Sequence, residues 1–203
     1  MGLRFQIAKL LRNGYFAGHV NYDNVEDGGT LDNIVTVANL TNKSWTIAGQ
    51  PDVPRNVVLT VVDTTPSITA GTVTVTGVGA YGQTLVETFN CASGAGTYTG
   101  NCAFARITTI VTSGFTVLGG SGDETFKVGA GLKIGLPCYK LKSVYKTCVG
   151  GVNEAVGTVD TTYGTIITTT APDDSRDFDI SVSYTHLTLP RIERCRSRWS
   201  PYH

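Results

Sequence analysis

The stretch TVTVTGVGAYGQTLVETF, residues 72–89, decides the fold class of this chain. From Thr72 to Thr76 threonine alternates with valine, so an extended strand here has one polar face and one apolar face. Glycines at 77, 79 and 82 mark a turn, and Thr84–Phe89 then continues as a second strand. The pattern predicts a β-hairpin with one buried face and one hydrated face.

The composition extends this prediction to the whole chain. Of 203 residues, 41% are hydrophobic and 16% are charged, which is enough apolar material for one large or two small β domains. The 24 glycines and the single methionine favour strands joined by tight turns over packed helices. We therefore expect a mainly β protein, an antiparallel β-sandwich of the immunoglobulin-like or jelly-roll-like kind.

The sequence divides into four regions. Residues 1–48 are predicted to form an N-terminal arm or peripheral segment, with a candidate strand at 34–38. Residues 49–137 are predicted as the main β-sandwich domain, residues 138–182 as a smaller antiparallel β unit, and residues 183–203 as a non-native tail. At the start of the arm, helical spacing predicts a short amphipathic helix or an ordered arm, through Leu3, Ile7, Leu10 and Leu11.

Turn signals place the strands within the two β regions. In the main domain they are expected near residues 56–62, 71–77, 84–89, 103–112, 115–118 and 124–128. In the smaller unit they are expected near residues 141–148, 155–159, 164–169 and 178–183. Glycines at 150, 151 and 164 are placed where a turn requires positive φ.

The end of the chain does not fit the rest of the sequence. SYTHLTLP, residues 183–190, resembles the translated read-through of a sequencing adapter. Arginines 191, 194, 196 and 198 follow it, and such a basic tail would otherwise indicate nucleic-acid binding. Since we interpret the tail as non-native, we expect no nucleic-acid partner. The chain also has no apolar run long enough to span a bilayer, so we expect no membrane partner.

Five cysteines permit two interpretations. Cys91 and Cys102 bracket a Gly-rich segment that could be a hairpin tip, with both sulfurs close enough to form a disulfide. The alternative is that they and Cys138, Cys148 and Cys195 are free thiols in a reducing compartment. No CxxC pair is present, and no histidine is spaced near a cysteine as in a zinc site. The sequence leaves the disulfide open and predicts no zinc site.

Two loops suggest ion binding and lack the pattern that it requires. Asp173, Asp174, Asp177 and Asp179 could offer carboxylates to Ca²⁺, but their spacing matches no calcium loop and Arg176 lies among them. Residues 119–124, GGSGDE, resemble a phosphate-binding loop without its lysine or its following helix. Both segments are predicted to be solvated turns, and we expect no metal ligand.

Catalytic groups are equally sparse. His19 is the one histidine before the tail, and no GxSxG motif is present to orient a nucleophilic serine. The carboxylates weighed as a glycosidase pair have no spacing that assigns two of them to one cleft: Glu87, Asp123, Glu124 and Glu154. We therefore expect a protein that is not an enzyme, with no catalytic residue, no cofactor-binding residue and no cofactor.

Four segments together carry a family resemblance. DVPRNV (52–57), the stretch 72–89, AFARITTI (103–110) and KVGAGLKIGLP (127–137) look like the ordered blocks of tailed-bacteriophage virion proteins of β-sandwich type. The resemblance covers about residues 50–182, and it departs from the family at the tail and at 77–82, where the usual aspartate is absent. It implies a virion component, assembled in the bacterial host cytoplasm, whose partners are other virion proteins and many copies of itself.

The resemblance leaves the place in the particle open. The preferred role is a capsid-associated decoration or minor head protein, in which an N-terminal arm over residues 1–32 could tether neighbouring copies. A tail- or fibre-associated protein is the first alternative, and a carbohydrate-binding or adhesin-like β module is the second. The last would present exposed aromatics on one face, whereas the candidates are scattered along the sequence: Trp45, Tyr81, Tyr98, Tyr139 and Tyr163.

Overall fold

The computed structural model is built from antiparallel strands in two sheets. It describes residues 4–10, 16–23, 25–26, 33–64, 68–92, 94–116, 124–138 and 140–185. Thirteen strands account for the regular structure of these ranges, and none of the described residues is helical. The predicted mainly β, antiparallel, sandwich-like fold class is confirmed.

The smaller sheet joins strands from the beginning and the end of the chain. Its five strands lie in the order β1-β2-β13-β9-β10. In the central pair, Ile180 lies opposite Val20, and the other edge of β13 pairs with β9. The strands are β1 (Arg4–Leu10), β2 (Phe16–Tyr22), β9 (Leu141–Val149), β10 (Val152–Glu154) and β13 (Phe178–Tyr184).

The larger sheet has eight strands in the order β11-β12-β8-β4-β7-β5-β6, with β3 also paired to β8. The predicted hairpin is its β5–β6 pair, in which Thr74 lies opposite Thr88. The strands are β3 (Val35–Asn39), β4 (Arg55–Asp63), β5 (Thr72–Gly79), β6 (Thr84–Asn90), β7 (Gly96–Ser113), β8 (Glu124–Gly135), β11 (Thr158–Asp160) and β12 (Thr165–Ile167).

Strand β7 makes the larger sheet curl. Its first half pairs with β4 and its second half pairs with β5, so the strand serves two neighbours in succession. Register shifts in both pairings increase the local bend. At the bend, the Glu87 carboxylate on β6 accepts the backbone N–H of Asn101 at 2.7 Å, which ties β6 to β7.

Two apolar cores result. The first lies inside the curled sheet and is centred on fully buried side chains such as Leu59, Phe104 and Phe126. The second packs the smaller sheet, through Phe178 and Ile180, against the far end of β8 at Ile134. Burial of these side chains is the main favourable term in folding.

The predicted N-terminal helix is wrong over the described residues. Residues 4–10 form strand β1, which pairs antiparallel with β2. A helix of two turns is marginal in water because nucleation is costly, whereas pairing with β2 satisfies the backbone within a larger sheet. Leu3 and Leu11 lie outside the described residues.

Other boundaries also differ from the prediction. Strand β7 begins at Gly96, so part of the segment predicted as a hairpin tip is strand, and Phe115 lies outside any strand. In the smaller unit, the strand expected from Ala155 begins at Thr158. Two strands were not predicted: β2 in the N-terminal region and β10 in the smaller unit.

Strands from the predicted regions mix in the two sheets. Residues 16–22 share a sheet with residues 141–184, while residues 35–39 pair with β8. The division into separate domains stays a prediction. Ser183 and Tyr184 belong to β13, and residues 186–203 of the predicted non-native tail lie outside the described residues.

A buried ion pair links the two sheets at the start of β4. The side chains of Arg55 and Asp52 are 0% and 2% exposed, and Arg55 Nε lies 2.8 Å from Asp52 Oδ1. The Arg55 guanidinium also donates to the carbonyls of Glu26 and of Gly131 on β8. Asp52 Oδ2 accepts the N–H of Glu26 at 2.8 Å. The pair thereby holds the segment after β2 against β4 and β8.

We predict that Asp52→Ala lowers the free energy of unfolding by about 3–5 kcal/mol, because it leaves the Arg55 guanidinium buried without its counter-charge. The double variant Asp52→Leu/Arg55→Met should lose less free energy of unfolding than the sum of the losses in Asp52→Leu and in Arg55→Met. Urea denaturation followed by circular dichroism measures both values.

The matched control is Asp173→Ala, which breaks the exposed ion pair between Asp173 and Arg176. Exposed pairs contribute about 0–1 kcal/mol. Equal losses in Asp52→Ala and Asp173→Ala would contradict the proposed importance of the buried pair.

Candidate functional site

A cavity of about 330 Å³ lies where four segments meet, two of which are turns. The β5–β6 turn and the β11–β12 turn form two of its walls. The bend of β7 contributes Cys102 and Ala103, and the chain after β8 contributes Leu136, Cys138 and Lys140. The cavity therefore combines residues that are far apart in the sequence.

The cavity floor depends on a close approach of strands at Gly135. A Cβ at this position would lie 2.5 Å from the Cβ of Ala103 and 3.2 Å from that of Pro54, so a side chain would force the strands apart. The Gly135 N–H donates to the Pro54 carbonyl at 2.7 Å. From the smaller sheet, the Tyr22 hydroxyl donates to the Gly135 carbonyl at 2.5 Å. Both sheets thus hold the floor in place.

Two tyrosines flank the cavity on turns that hydrogen bonds hold in shape. Tyr81 and Tyr163 are each 46% exposed. The Tyr81 N–H donates to Gln83 Oε1 at 3.2 Å, and the Tyr163 N–H donates to Asp160 Oδ1 at 3.2 Å. The Gly164 carbonyl accepts the N–H of Leu136, which attaches the second turn to the cavity wall. Both rings are therefore carried by preformed turns.

The cavity lining contains two thiols and one charged side chain. Burial raises the pKa of Cys138 to about 12. Burial, and secondarily the nearby Glu87 carboxylate, raise the pKa of Cys102 to about 11. Both groups are therefore neutral at pH 7. Lys140, with a φ of 48°, is the one charged residue among the described lining residues.

The cysteines settle the question that the sequence left open. Cys91, Cys102, Cys138 and Cys148 are all free thiols, so no Cys91–Cys102 disulfide is formed. Cys195 lies outside the described residues. Burial also raises the pKa of Cys91, to about 11.

A second surface is the outer face of β5, β6 and β7, here called the threonine face. Thr74 and Thr88 approach each other across strands, with hydroxyl oxygens 3.2 Å apart, and Thr72 and Ser113 do so at 3.0 Å. The register aligns four rows of outward residues: Ser113, Thr72 and Asn90; Val111, Thr74 and Thr88; Thr109, Thr76 and Val86; Arg106, Val78 and Thr84. Arg106 is the one charged residue of the threonine face.

The threonine face ends at an open sheet edge. Strand β6 pairs with β5 along one side without a register shift, and no described strand pairs with its other side. Strand β1 ends the smaller sheet in the same way, beyond β2. The other strands with a single described partner are shorter: β3 has five residues, and β10 and β11 have three each. The long open edges are therefore those of β6 and β1.

The aspartates considered for Ca²⁺ are not brought together. Asp173 accepts hydrogen bonds from Ser175 and pairs with Arg176; the Ser175 bond is the largest of the effects that lower its pKa. Asp179 lies on β13, where it accepts a hydrogen bond from Asn21 at 2.7 Å. Among the residues that the structure describes, no group of three or more His, Cys, Asp or Glu could hold a metal ion.

The carboxylates considered for catalysis also serve separate segments. Glu87 binds the β7 backbone, and Glu154 accepts the N–H groups of Thr169 and Thr170. Glu124 is buried at the start of β8, and Asp123 lies outside the described residues. His19 is on β2, with Nε2 3.3 Å from an Asp179 oxygen, rather than in a peripheral arm.

Two of the five aromatic residues that are scattered along the sequence are brought together by the fold. Tyr81 and Tyr163 line the same cavity although 81 residues separate them in the sequence. Trp45 is instead buried against Phe126, and Tyr139 lies outside the described residues. A sequence signal was present, since both cavity tyrosines precede a glycine within a turn.

Comparisons with protein-family models, curated proteins and solved structures found no match to this chain. Within the part of the chain that the structure describes, no helix is long and apolar enough to cross a membrane.

The cavity thiol Cys138 predicts a pH dependence of stability. It ionises near pH 9 in the unfolded chain and near pH 12 in the folded protein, as its raised pKa requires. Its contribution to stability is therefore complete below pH 9 and is lost as the pH rises towards 12. Between about pH 8 and pH 11, the free energy of unfolding of Cys138→Ala should fall by ~1–2 kcal/mol less than that of the unchanged protein.

Urea denaturation at each pH measures this difference. Alanine also leaves a small void, so the variant should be less stable at neutral pH and the comparison concerns the change with pH. Parallel pH profiles for the two proteins would contradict the prediction.

Proposed function

We propose that this chain is a non-enzymatic structural protein of a tailed-bacteriophage virion, associated with the capsid as a decoration or minor head protein. In this proposal it binds its neighbours through sheet edges and faces and makes or breaks no covalent bond. The observation that carries the binding mode is the open edge of β6 beside the threonine face. The sequence resemblance over residues 50–182 supports the virion assignment.

An open edge presents unpaired backbone N–H and C=O groups that can accept a strand from another chain. Proteins that remain monomeric usually protect such an edge with lysine, proline or a bulge. Residues 84–90, TLVETFN, contain neither lysine nor proline, and their pairing with β5 is regular. Glu87 is an inward-pointing charge, which can also protect an edge, but its carboxylate is hydrogen-bonded to the backbone N–H groups of Asn101 and Cys102 on β7. The edge is therefore suited to accept a neighbouring strand.

The threonine face supports dense packing of copies. One charged residue, Arg106, lies at its end, so like-charge repulsion between close copies is small. Without the predicted non-native tail, which contains four arginines and one glutamate, the formal net charge is −3, which is small for 182 residues. Weak contacts of this kind become strong when many copies bind one shell at once. The same edge could serve a tail- or fibre-associated protein, which is the alternative to the capsid role.

We predict that Val86→Lys weakens self-association at least ~10-fold, because it places a charge at the open edge and on the threonine face. Val86 is 59% exposed, so the change should leave stability within about 0.5 kcal/mol. Sedimentation velocity over a range of protein concentrations measures the effect.

Val62→Lys is the matched control, because Val62 is also exposed but lies on β4, inside the sheet order. It should associate like the unchanged protein. Equal association of all three proteins, or an unchanged protein that stays monomeric at every concentration, would contradict binding through the β6 edge.

Co-sedimentation with isolated particles tests the place in the virion. We expect the protein to bind expanded capsid shells that lack their own decoration protein, and not to bind isolated tails. Binding to tails alone would overturn the capsid role in favour of the tail role. Binding to neither particle, together with the absence of self-association, would overturn the structural proposal.

A further inference from the structure

We propose that the cavity between the β5–β6 and β11–β12 turns binds an acidic monosaccharide unit, a sugar ring that carries a carboxylate. Tyr81 and Tyr163 would contact the apolar face of the ring, and Lys140 would supply positive charge for the carboxylate. The proposal is independent of self-association, because the cavity and the outward-facing Val86 lie on different surfaces.

The size and the lining of the cavity suit one sugar ring. Its volume of about 330 Å³ lies at the lower end of the range for small-molecule sites. Leu85, Leu136 and Leu141 supply apolar surface, and Thr161 and Thr162 supply hydroxyl groups. A sugar has the same combination, since its C–H groups form apolar patches and its hydroxyl groups both donate and accept hydrogen bonds.

The two tyrosines are the strongest indication of a ligand. Most large apolar side chains of the described residues are buried, whereas these two tyrosines are each 46% exposed on two different turns that line one cavity. An aromatic ring with a polar hydroxyl suits a ligand that is apolar on one face and hydrated at its rim.

The turns that carry the tyrosines are already ordered. Asp160 accepts the N–H groups of both Thr162 and Tyr163, and the Gln83 side chain accepts the N–H of Tyr81. A preformed site binds more tightly because less conformational freedom is lost on binding. A single sugar, which offers few contacts, depends on this preorganisation.

The charge of the lining selects the class of sugar. Lys140 is cationic, and the described lining residues include no aspartate or glutamate. Two carboxylates, Glu87 and Asp160, lie beside the lining, and both accept backbone N–H groups. Lys140 is the charged side chain of the lining itself, so the cavity favours an anionic ligand over a cationic one. A carboxylated sugar satisfies both the aromatic walls and the positive charge, whereas a neutral sugar satisfies the walls alone.

Isothermal titration calorimetry on the full chain tests the proposal with four probes: glucuronic acid, N-acetylneuraminic acid, glucose and benzoate. We expect saturable binding of at least one acidic sugar, with glucose at least ~5-fold weaker. Benzoate should bind no better than glucose, since it lacks the hydroxyl groups that Thr161 and Thr162 would contact. Saturation of the protein by benzoate alone would overturn the sugar class.

Variants locate the binding in the cavity. Tyr163→Ala should weaken binding of the acidic sugar at least ~10-fold, and Tyr163→Phe should retain most of it because the ring remains. Lys140→Gln should reduce the affinity for the acidic sugar to that for glucose. Tyr145→Ala is the control, because Tyr145 is a 56% exposed tyrosine on β9 outside the cavity, and it should bind normally.

The variant Val86→Lys should bind the acidic sugar as the unchanged protein does, which separates this site from the β6 edge. Failure of both acidic sugars to saturate the protein would overturn the proposal. Equal losses in Tyr163→Ala and Tyr145→Ala would also overturn it, because binding would then not depend on the cavity.

Discussion

The buried Asp52–Arg55 ion pair is the interaction on which the arrangement of the two sheets depends. Two charges removed from water are tolerated when their geometry is good and their remaining donors are satisfied. Here Nη2 of Arg55 donates to the Asp52 carboxylate and to the Glu26 carbonyl, and Nη1 donates to the Gly131 carbonyl. Nε lies 2.8 Å from Asp52 Oδ1 as an ion-pair contact without hydrogen-bond geometry. Arg55 lies opposite both Phe104 and Ile134, where β4 meets β7 and β8. The pair therefore fixes the point from which both cores extend.

The cavity is a consequence of the same junction. Gly135 follows the β8 residue that pairs with Arg55, and its lack of a side chain lets β8 approach Ala103 on β7. Tyr22 reaches this point from the smaller sheet, and burial raises the pKa of its hydroxyl, which keeps it a hydrogen-bond donor. Gly135 is held in place by residues of both sheets, whereas the exposed tyrosines lie on the turns that border the cavity. The proposed binding would thus depend on surface residues on a scaffold that other residues hold in place.

The sequence predicted the features that depend on neighbouring residues. The alternation at 72–76 gave the β5–β6 hairpin, because the strand period is visible within five residues. The prediction for residues 4–10 was wrong. Apolar spacing in this short segment indicated a helix, but the segment forms strand β1 because it pairs with β2. Asp52 and Arg55 are three residues apart in the sequence, but nothing there shows that both are buried. The cavity could not be predicted, because its walls come from segments joined by long-range strand register.

Hydrogen–deuterium exchange over a range of protein concentrations tests most directly whether this protein acts through its sheet edge. Amides at the junction, in β4 and β8, should exchange slowly at every concentration because they lie between paired strands. Amides of β6 that point away from β5 should exchange rapidly at low concentration and become protected as copies associate. Unchanged exchange in β6 at all concentrations, with protection appearing elsewhere or not at all, would contradict the account.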